Sequence, residues 1–288
     1  MPKKELGQHW LTDRLVLEAI VDCALPRQQL PMATKQAVEQ PLGAGSVRRE
    51  FTSQGTRGGF ASPSIVVEIG PGQGALTSVL LARAERVIAV EYDADLARKL
   101  LGQFPGKNLE VVHQDILSYD FTGLPDDFIV VGNIPYYITN KIVRKVSEGP
   151  IRPKIAVLLV QKEVAERLAA GPGQMSLLSL SAQVFHDVSL GPVVLRDKFT
   201  PPPKVDSQVV ILRRRDQPLV PTDQQKAFFR LAHAGFAERR KKLRSSLAAG
   251  LAISKTDAGA LLQKANISPD ARAQELSIEQ WQTLTNLS

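Results

Sequence analysis

Three short stretches of this 288-residue chain carry residue types arranged as a ligand site needs them. The first is Glu68-Ile69-Gly70-Pro71-Gly72-Gln73-Gly74. Glycines let a backbone turn tightly and approach a ligand with no Cβ in the way. Gly70, Gly72 and Ala75 also satisfy the G-x-G-x-x-A dinucleotide pattern. Taken alone, such a loop suits any adenosine-containing cofactor, or none if it is only a strand-to-helix turn. The second stretch is a pair of polar positions downstream. Glu91, 21 residues beyond Gly70, can accept both hydroxyls of a ribose, and Gln114-Asp115 is placed to accept from an adenine amino group. The third is Gly132-Asn133-Ile134-Pro135-Tyr136-Tyr137. Proline fixes its own φ and holds the residue before it extended, which makes a rigid corner. There the Asn133 side-chain carbonyl and the Ile134 backbone carbonyl can each accept an N–H of an exocyclic amine, and the Tyr136 ring can stack on a flat base.

These stretches need elements to hold them. Ser64–Ile69, Arg86–Val90, Leu109–Val112, Phe128–Val131 and Ile155–Val160 are apolar runs that read as buried strands, with Val188–Leu195 and Gln208–Leu212 as two later ones. Helical patterns over residues 75–84, 94–104, 138–146 and 162–169 alternate with them, and residues 13–25 form another, stopped by Pro26. The alternation predicts an α/β fold with a mostly parallel, seven-stranded sheet covered on both faces. Ligands bind beyond the carboxyl ends of such strands, which is where all three stretches fall. After Pro218 the strand signal stops. Helical patterns near 223–236, 239–249, 255–265 and 277–286 predict a small all-α unit, with the division placed at 1–217 and 218–288.

Together Glu68–Thr77 (E-I-G-P-G-x-G-x-L-T) and Asn133–Tyr136 (N-I-P-Y) resemble the class I S-adenosylmethionine-dependent adenine-N6 methyltransferases, whose sheet is Rossmann-like. Gly7-Gln8-His9-Trp10-Leu11, Phe199-Thr-Pro-Pro-Pro-Lys-Val-Asp-Ser207 and Phe236-Ala-Glu-Arg-Arg-Lys-Lys-Leu-Arg-Ser-Ser-Leu247 narrow the likeness. With them the chain is similar to the bacterial small-subunit ribosomal RNA adenine N6,N6-dimethyltransferases along nearly its whole length outside 27–62. That resemblance implies cofactor contacts at His9, Leu11, Gly70, Glu91, Asp115 and Asn133, with Gln8, Gly72 and Gly74 bordering the pocket. Glu68 is assigned to the structure or electrostatics of the cofactor site. The resemblance further implies a target-base motif at Asn133, Ile134, Pro135 and Tyr136, closed from the other side by Phe199. The reaction implied is N6,N6-dimethylation of adenosine. Trp10 stands where the family pattern has phenylalanine and reads as a packing substitution.

Charge points to the partner. Residues 1–197 hold 21 basic and 21 acidic side chains, whereas 198–288 hold 15 and 8, so the whole net charge of +7 lies in the last third. A basic excess confined to one region suggests a polyanion. Its clusters are Arg213-Arg214-Arg215 and Arg239-Arg240-Lys241-Lys242 with Arg244, the second read as the start of a helix. Both are expected to meet phosphates of ribosomal RNA on an immature small subunit, which position RNA without reading its sequence. The longest apolar run, Ile155–Val160, is far short of a membrane span. One cysteine and four scattered histidines show no disulfide framework and no metal-ligand spacing. The expectation is a cytoplasmic, metal-free monomer. Residues 27–62 are a stretch without periodicity, five basic and two acidic, read as a tolerated insertion or an added RNA contact. Three other functions stay open at this point. One is a large-subunit rRNA methyltransferase conferring antibiotic resistance; another is an assembly factor whose binding outweighs its chemistry. The third, a nicotinamide oxidoreductase, gives no account of Asn133–Tyr136.

Overall fold

A computed structural model of the chain describes residues 9–27, 64–238 and 240–288. Gln8, Arg239 and nearly all of the 27–62 stretch lie outside the described residues. Among the described residues the strands are β1 (Trp10–Leu11), β2 (Ile65–Ile69), β3 (Arg86–Glu91), β4 (Leu109–His113), β5 (Ile129–Asn133), β6 (Ile155–Gln161), β7 (His186–Val194), β8 (Phe199–Thr200) and β9 (Ser207–Arg214). The α-helices are α1 (Arg14–Ala24), α2 (Ala75–Leu80), α3 (Ala94–Leu101), α4 (Thr139–Glu148), α5 (Lys162–Leu168), α6 (Leu177–Gln183), α7 (Thr222–Phe236), α8 (Leu243–Leu251), α9 (Lys255–Lys264) and α10 (Ile278–Leu287).

Seven strands form one sheet in the order β4-β3-β2-β5-β6-β9-β7. The first five run parallel, and β9 runs antiparallel to both of its neighbours. The mostly parallel α/β sheet expected from the sequence is thus present. Its strands alternate cleanly between two apolar layers, because successive side chains point to opposite faces. Val67, Ile69, Val130 and Leu158 pack with Ile142, Val143 and Val146 of α4. Val66, Val131, Val157 and Leu159 pack with Leu17, Ile20 and Val21 of α1 and with Val79 and Leu80 of α2. The Asp13 side chain caps α1 by accepting from the Leu15 and Val16 amides.

The helical end differs from the sequence reading in two respects. Its core, around the fully buried Trp281, Phe228 and Leu247, also takes in Met175, Leu180, Val184 and Phe185. Helix α6 supplies part of that wall, so one apolar core crosses the expected division. Second, α8 begins at Leu243 with Lys242 as its N-cap, later than the pattern from 239 suggests. Arg240 and Lys241 therefore precede the helix in a turn. Cationic side chains are disfavoured in the first turn of a helix by its dipole, consistent with most of the cluster staying outside it.

Candidate active site

The carboxyl ends of β2, β3, β4 and β5 open onto one cavity of about 370 Å³, a volume typical of small-ligand sites. Each predicted polar group arrives from a different strand. Glu68 precedes the glycine turn at the end of β2. Glu91 ends β3, Asp115 follows β4, and Asn133 ends β5. Neighbouring strands lie about 4.8 Å apart, so the four groups are spread along roughly 14 Å of sheet edge.

The glycine turn has two functions in its geometry. Gly70 has φ +63°, and a Cβ added there would meet nothing within 4 Å, so its α-carbon faces open cavity. Gly74 has φ +81° and turns the chain into α2; a Cβ there would come 2.8 Å from Leu100 Cδ1. Gly74 thus serves helix packing and lies off the cavity wall, whereas Gly70 and Gly72 are on it. Glu91, 5% exposed, accepts from the Gly72 amide at 3.0 Å through Oε2 and from the Asp93 amide at 2.8 Å through Oε1. Each oxygen keeps a second lone pair, and the carboxylate is held in place before any ligand arrives. Asp115 is fixed similarly, accepting from the Leu117 amide at 2.9 Å.

Glu68 is 1% exposed and neither carboxylate oxygen has a hydrogen-bond partner. Burial pushes its pKa up to about 8, so it is mostly protonated at neutral pH. Thr77 of α2 faces it and opposes that shift, yet neither its hydroxyl nor its amide closes a bond of ordinary geometry; the nearby Glu91 charge adds to the rise. Desolvation is the dominant cause.

The Asn133–Tyr136 corner is held by residues that sequence reasoning did not give this task. Asn133 Nδ2 donates to the His9 carbonyl oxygen at 3.1 Å, which leaves Oδ1 as the outward acceptor. The His9 ring stacks on Tyr136, with centroids 5.8 Å apart and planes 24° apart, and its Nδ1–H donates to the Pro201 carbonyl at 2.7 Å. The Tyr136 and Ser207 hydroxyls share a hydrogen bond of 2.7 Å. Burial raises the Tyr136 pKa, which keeps the phenol neutral. The residues 199–207 thus grip both His9 and Tyr136. A signal was present in the separate Gly7–Leu11 and Phe199–Ser207 motifs, but nothing in a linear sequence says that they meet.

Phe199 is placed differently from its expected role. It pairs with Leu11 in the β1–β8 ladder, is 2% exposed and lies in the apolar core away from the cavity wall. A ring buried there cannot close on a base in this conformation. Leu11 and His9 do line the cavity.

The two basic clusters also separate. In the β6–β9 register Ser207 lies opposite Gln161 and Arg213 opposite Ile155, so Arg213–Arg215 sit at the far edge of the sheet, about 20 Å from the cavity. Arg214 makes a two-armed contact with Asp126 and also donates to the Arg152 carbonyl at 2.8 Å. Arg215 pairs with Asp187 at 2.7 Å and donates to the Gln183 carbonyl. These two arginines tie strands and loops together, which corrects the expectation of a free cationic cluster; Arg213 alone of the three is exposed without an ion pair among the described residues. In the second cluster Lys241 pairs with Glu238 and Lys242 with Asp270, both in the open, where ion pairs contribute little and exchange readily for phosphate. Arg240 is exposed, and Arg244 is half-buried with Nε unpartnered.

The site therefore offers an open glycine wall, two pre-set carboxylates and orphaned polar atoms on Glu68 and Trp10, a donor set that fits an adenosine-containing sulfonium cofactor. Among the described residues no group of three or more His, Cys, Asp or Glu could hold a metal ion. The chain is 41% identical over 223 residues to a ribosomal RNA small subunit methyltransferase A of Dehalococcoides mccartyi, covering 76% of this chain and 77% of that one. It is 38% identical to the protein of the same name from Synechococcus sp., over 99% and 92%. Among solved structures it is similar to the 23S rRNA methyltransferase ErmE, with TM-score 0.63, 31% identity and coverage of 78% and 91%. A dimethyladenosine transferase from Plasmodium falciparum gives 0.62, 27%, 76% and 88%. The model for ribosomal RNA adenine dimethylases matches residues 2–288, and the chain belongs to that family.

Proposed function

We propose that this enzyme uses S-adenosylmethionine to dimethylate N6 of adenosines in small-subunit ribosomal RNA. The observation that carries the reading is Asn133, a cavity-lining residue whose Nδ2 is engaged by the His9 carbonyl, so that its Oδ1 is the atom left to accept from a ligand. An adenine N6 lone pair is delocalised into its ring and is a poor nucleophile. Accepting its N–H groups at Asn133 Oδ1 and the Ile134 carbonyl favours a pyramidal nitrogen with an available pair. Tyr136 stacks on the base, with Pro135 fixing the corner between them. Bound S-adenosylmethionine supplies an electrophilic methyl. Asp115 would hold its adenine and Glu91 its ribose, with Gly70, Gly72, Leu11 and Glu68 lining the rest of the cavity. Positioning and placed dipoles then supply the catalysis, with no strong general base in the corner.

The helical unit, 218–288, is proposed to dock phosphates through Arg240, Lys241, Lys242 and Arg244, beside the methyl-transfer unit at 1–217. The small-subunit substrate is favoured over a large-subunit one because the relatives matched over nearly the whole chain carry the small-subunit name. The reading extends to a cytoplasmic monomer acting on immature subunits; among the described residues no helix is long and apolar enough to cross a membrane. The test is methyl transfer from labelled cofactor to unmethylated small subunits, with modified bases mapped. Label at N6 of adenine is expected, and its absence there overturns the reading.

A further inference from the structure

Trp10 does more in this fold than fill space. Its indole lies over the glycine turn, and a Cβ added at Gly72 would come 3.7 Å from both Cδ1 and Nε1 of Trp10. The ring lines the cavity, yet Nε1 is buried and has no hydrogen-bond partner. An indole N–H is a donor only, and leaving one buried and unsatisfied is costly. An apolar substitute such as phenylalanine packs on the same glycine without that cost. A buried, unpartnered donor on a side chain that lines a ligand cavity gains a partner when the ligand brings the acceptor and the ring turns slightly toward it.

The strand order says which part of the ligand that is. Along the edge the order is β4, β3, β2, β5. With adenine at Asp115 after β4, ribose at Glu91 of β3 and the target amine at Asn133 of β5, the amino-acid end of the cofactor falls at β2. That is the strand whose glycine turn Trp10 covers. This end of the molecule carries a carboxylate, an acceptor without donors of its own. We propose that the Trp10 indole N–H donates to the α-carboxylate of bound S-adenosylmethionine, a charge-assisted contact that a phenylalanine at this position cannot make. The assignment rests on the cofactor reading given above.

The experiment uses the full chain and two binding probes. S-adenosylhomocysteine carries the amino-acid end; 5′-methylthioadenosine keeps adenine, ribose and sulfur but lacks it. Trp10→Phe is expected to bind the first at least about tenfold more weakly by titration calorimetry, the lower end for removing a bond to a charged group, and the second unchanged. The chain has two tryptophans, so the Trp10 indole ¹⁵N–¹H signal of the unaltered protein gives a second readout. It should move on adding S-adenosylhomocysteine and stay in place with 5′-methylthioadenosine. Equal affinity of both proteins for S-adenosylhomocysteine, an equal loss for both ligands, or an indole signal that ignores the amino-acid end overturns the proposal. Failure of the unaltered protein to bind S-adenosylhomocysteine at all would instead strike the cofactor reading itself.

Discussion

Replacing Glu68 by glutamine should make the protein more stable at pH 8 while changing it little at pH 5. Burial raises the Glu68 pKa from 4.5 to about 8. Between those values the folded chain keeps a proton that the unfolded chain releases. Stability must then fall as pH rises, by about 1.4 kcal/mol per pH unit, and level off above about pH 8. From pH 5 to pH 8 the loss attributable to this one carboxyl is about 4 kcal/mol, an upper figure because relaxation around a charged Glu68 would reduce it. Glutamine has nearly the same shape, stays neutral throughout and removes that dependence. Urea unfolding of both proteins at half-unit steps from pH 5 to 8.5 measures it directly. The difference between the curves should open steadily above pH 5 and reach about 4 kcal/mol by pH 8. Parallel curves would mean that Glu68 is ionised in the folded protein, and would refute the argument from its burial and lack of partners.

Further outcomes follow from the geometry. Asn133→Ala should lower kcat by about a hundredfold or more, as for loss of a placed dipole at a reacting centre, with cofactor affinity within a fewfold by calorimetry. Asn133→Asp should be no better, since it sets a carboxylate oxygen against the His9 carbonyl. Changing Arg240, Lys241, Lys242 and Arg244 together to glutamine should flatten the log–log salt dependence of RNA binding by about 0.7–0.9 for each phosphate no longer neutralised. Arg214→Gln should leave that slope alone and cost stability, because its guanidinium holds Asp126 and the Arg152 carbonyl. His186 is fully buried, and burial lowers its pKa to about 4. Below about pH 6.5 the unfolded chain takes a proton that the folded chain refuses. Stability should then fall by about 3 kcal/mol as pH drops from 6.5 to 4. His186→Leu should show a flatter acid limb in urea unfolding; an equally steep limb counts against this.

Much of the sheet can be read from the sequence because parallel strands buried on both faces are continuous apolar runs, and Val87–Val90, Phe128–Val131 and Ala156–Val160 are such runs. The groups at their ends follow from the rule that ligands sit beyond carboxyl edges. Helix α6 escaped the pattern for the opposite reason. Its serines 179 and 181 are buried along with Leu180, so no polar face marks a 3.6-residue period, and its capping box is made of two serines, Ser176 and Ser179. What sets the amide of Asn133 was likewise hidden. His9 reaches it across 124 residues of chain and Ser207 reaches Tyr136 across 71. Charge was the least faithful guide: Arg213, Arg214 and Arg215 look alike in a string, but two of them spend their guanidinium groups inside the fold.

The two-stranded ladder in which Trp10 faces Thr200 and Leu11 faces Phe199 sets a timetable for synthesis. The five parallel strands β2 to β6 are all made before residue 162. The strand that carries Trp10 and Leu11 has no ladder partner until Phe199 and Thr200 have been made, even though His9 can already meet Asn133 and Tyr136. The cofactor cavity is therefore finished late, after every strand that supplies its polar groups. A nascent or truncated chain lacking the later segment would carry the glycine turn and Asn133 but have an open site. Competence to bind is thereby linked to near-completion of the polypeptide.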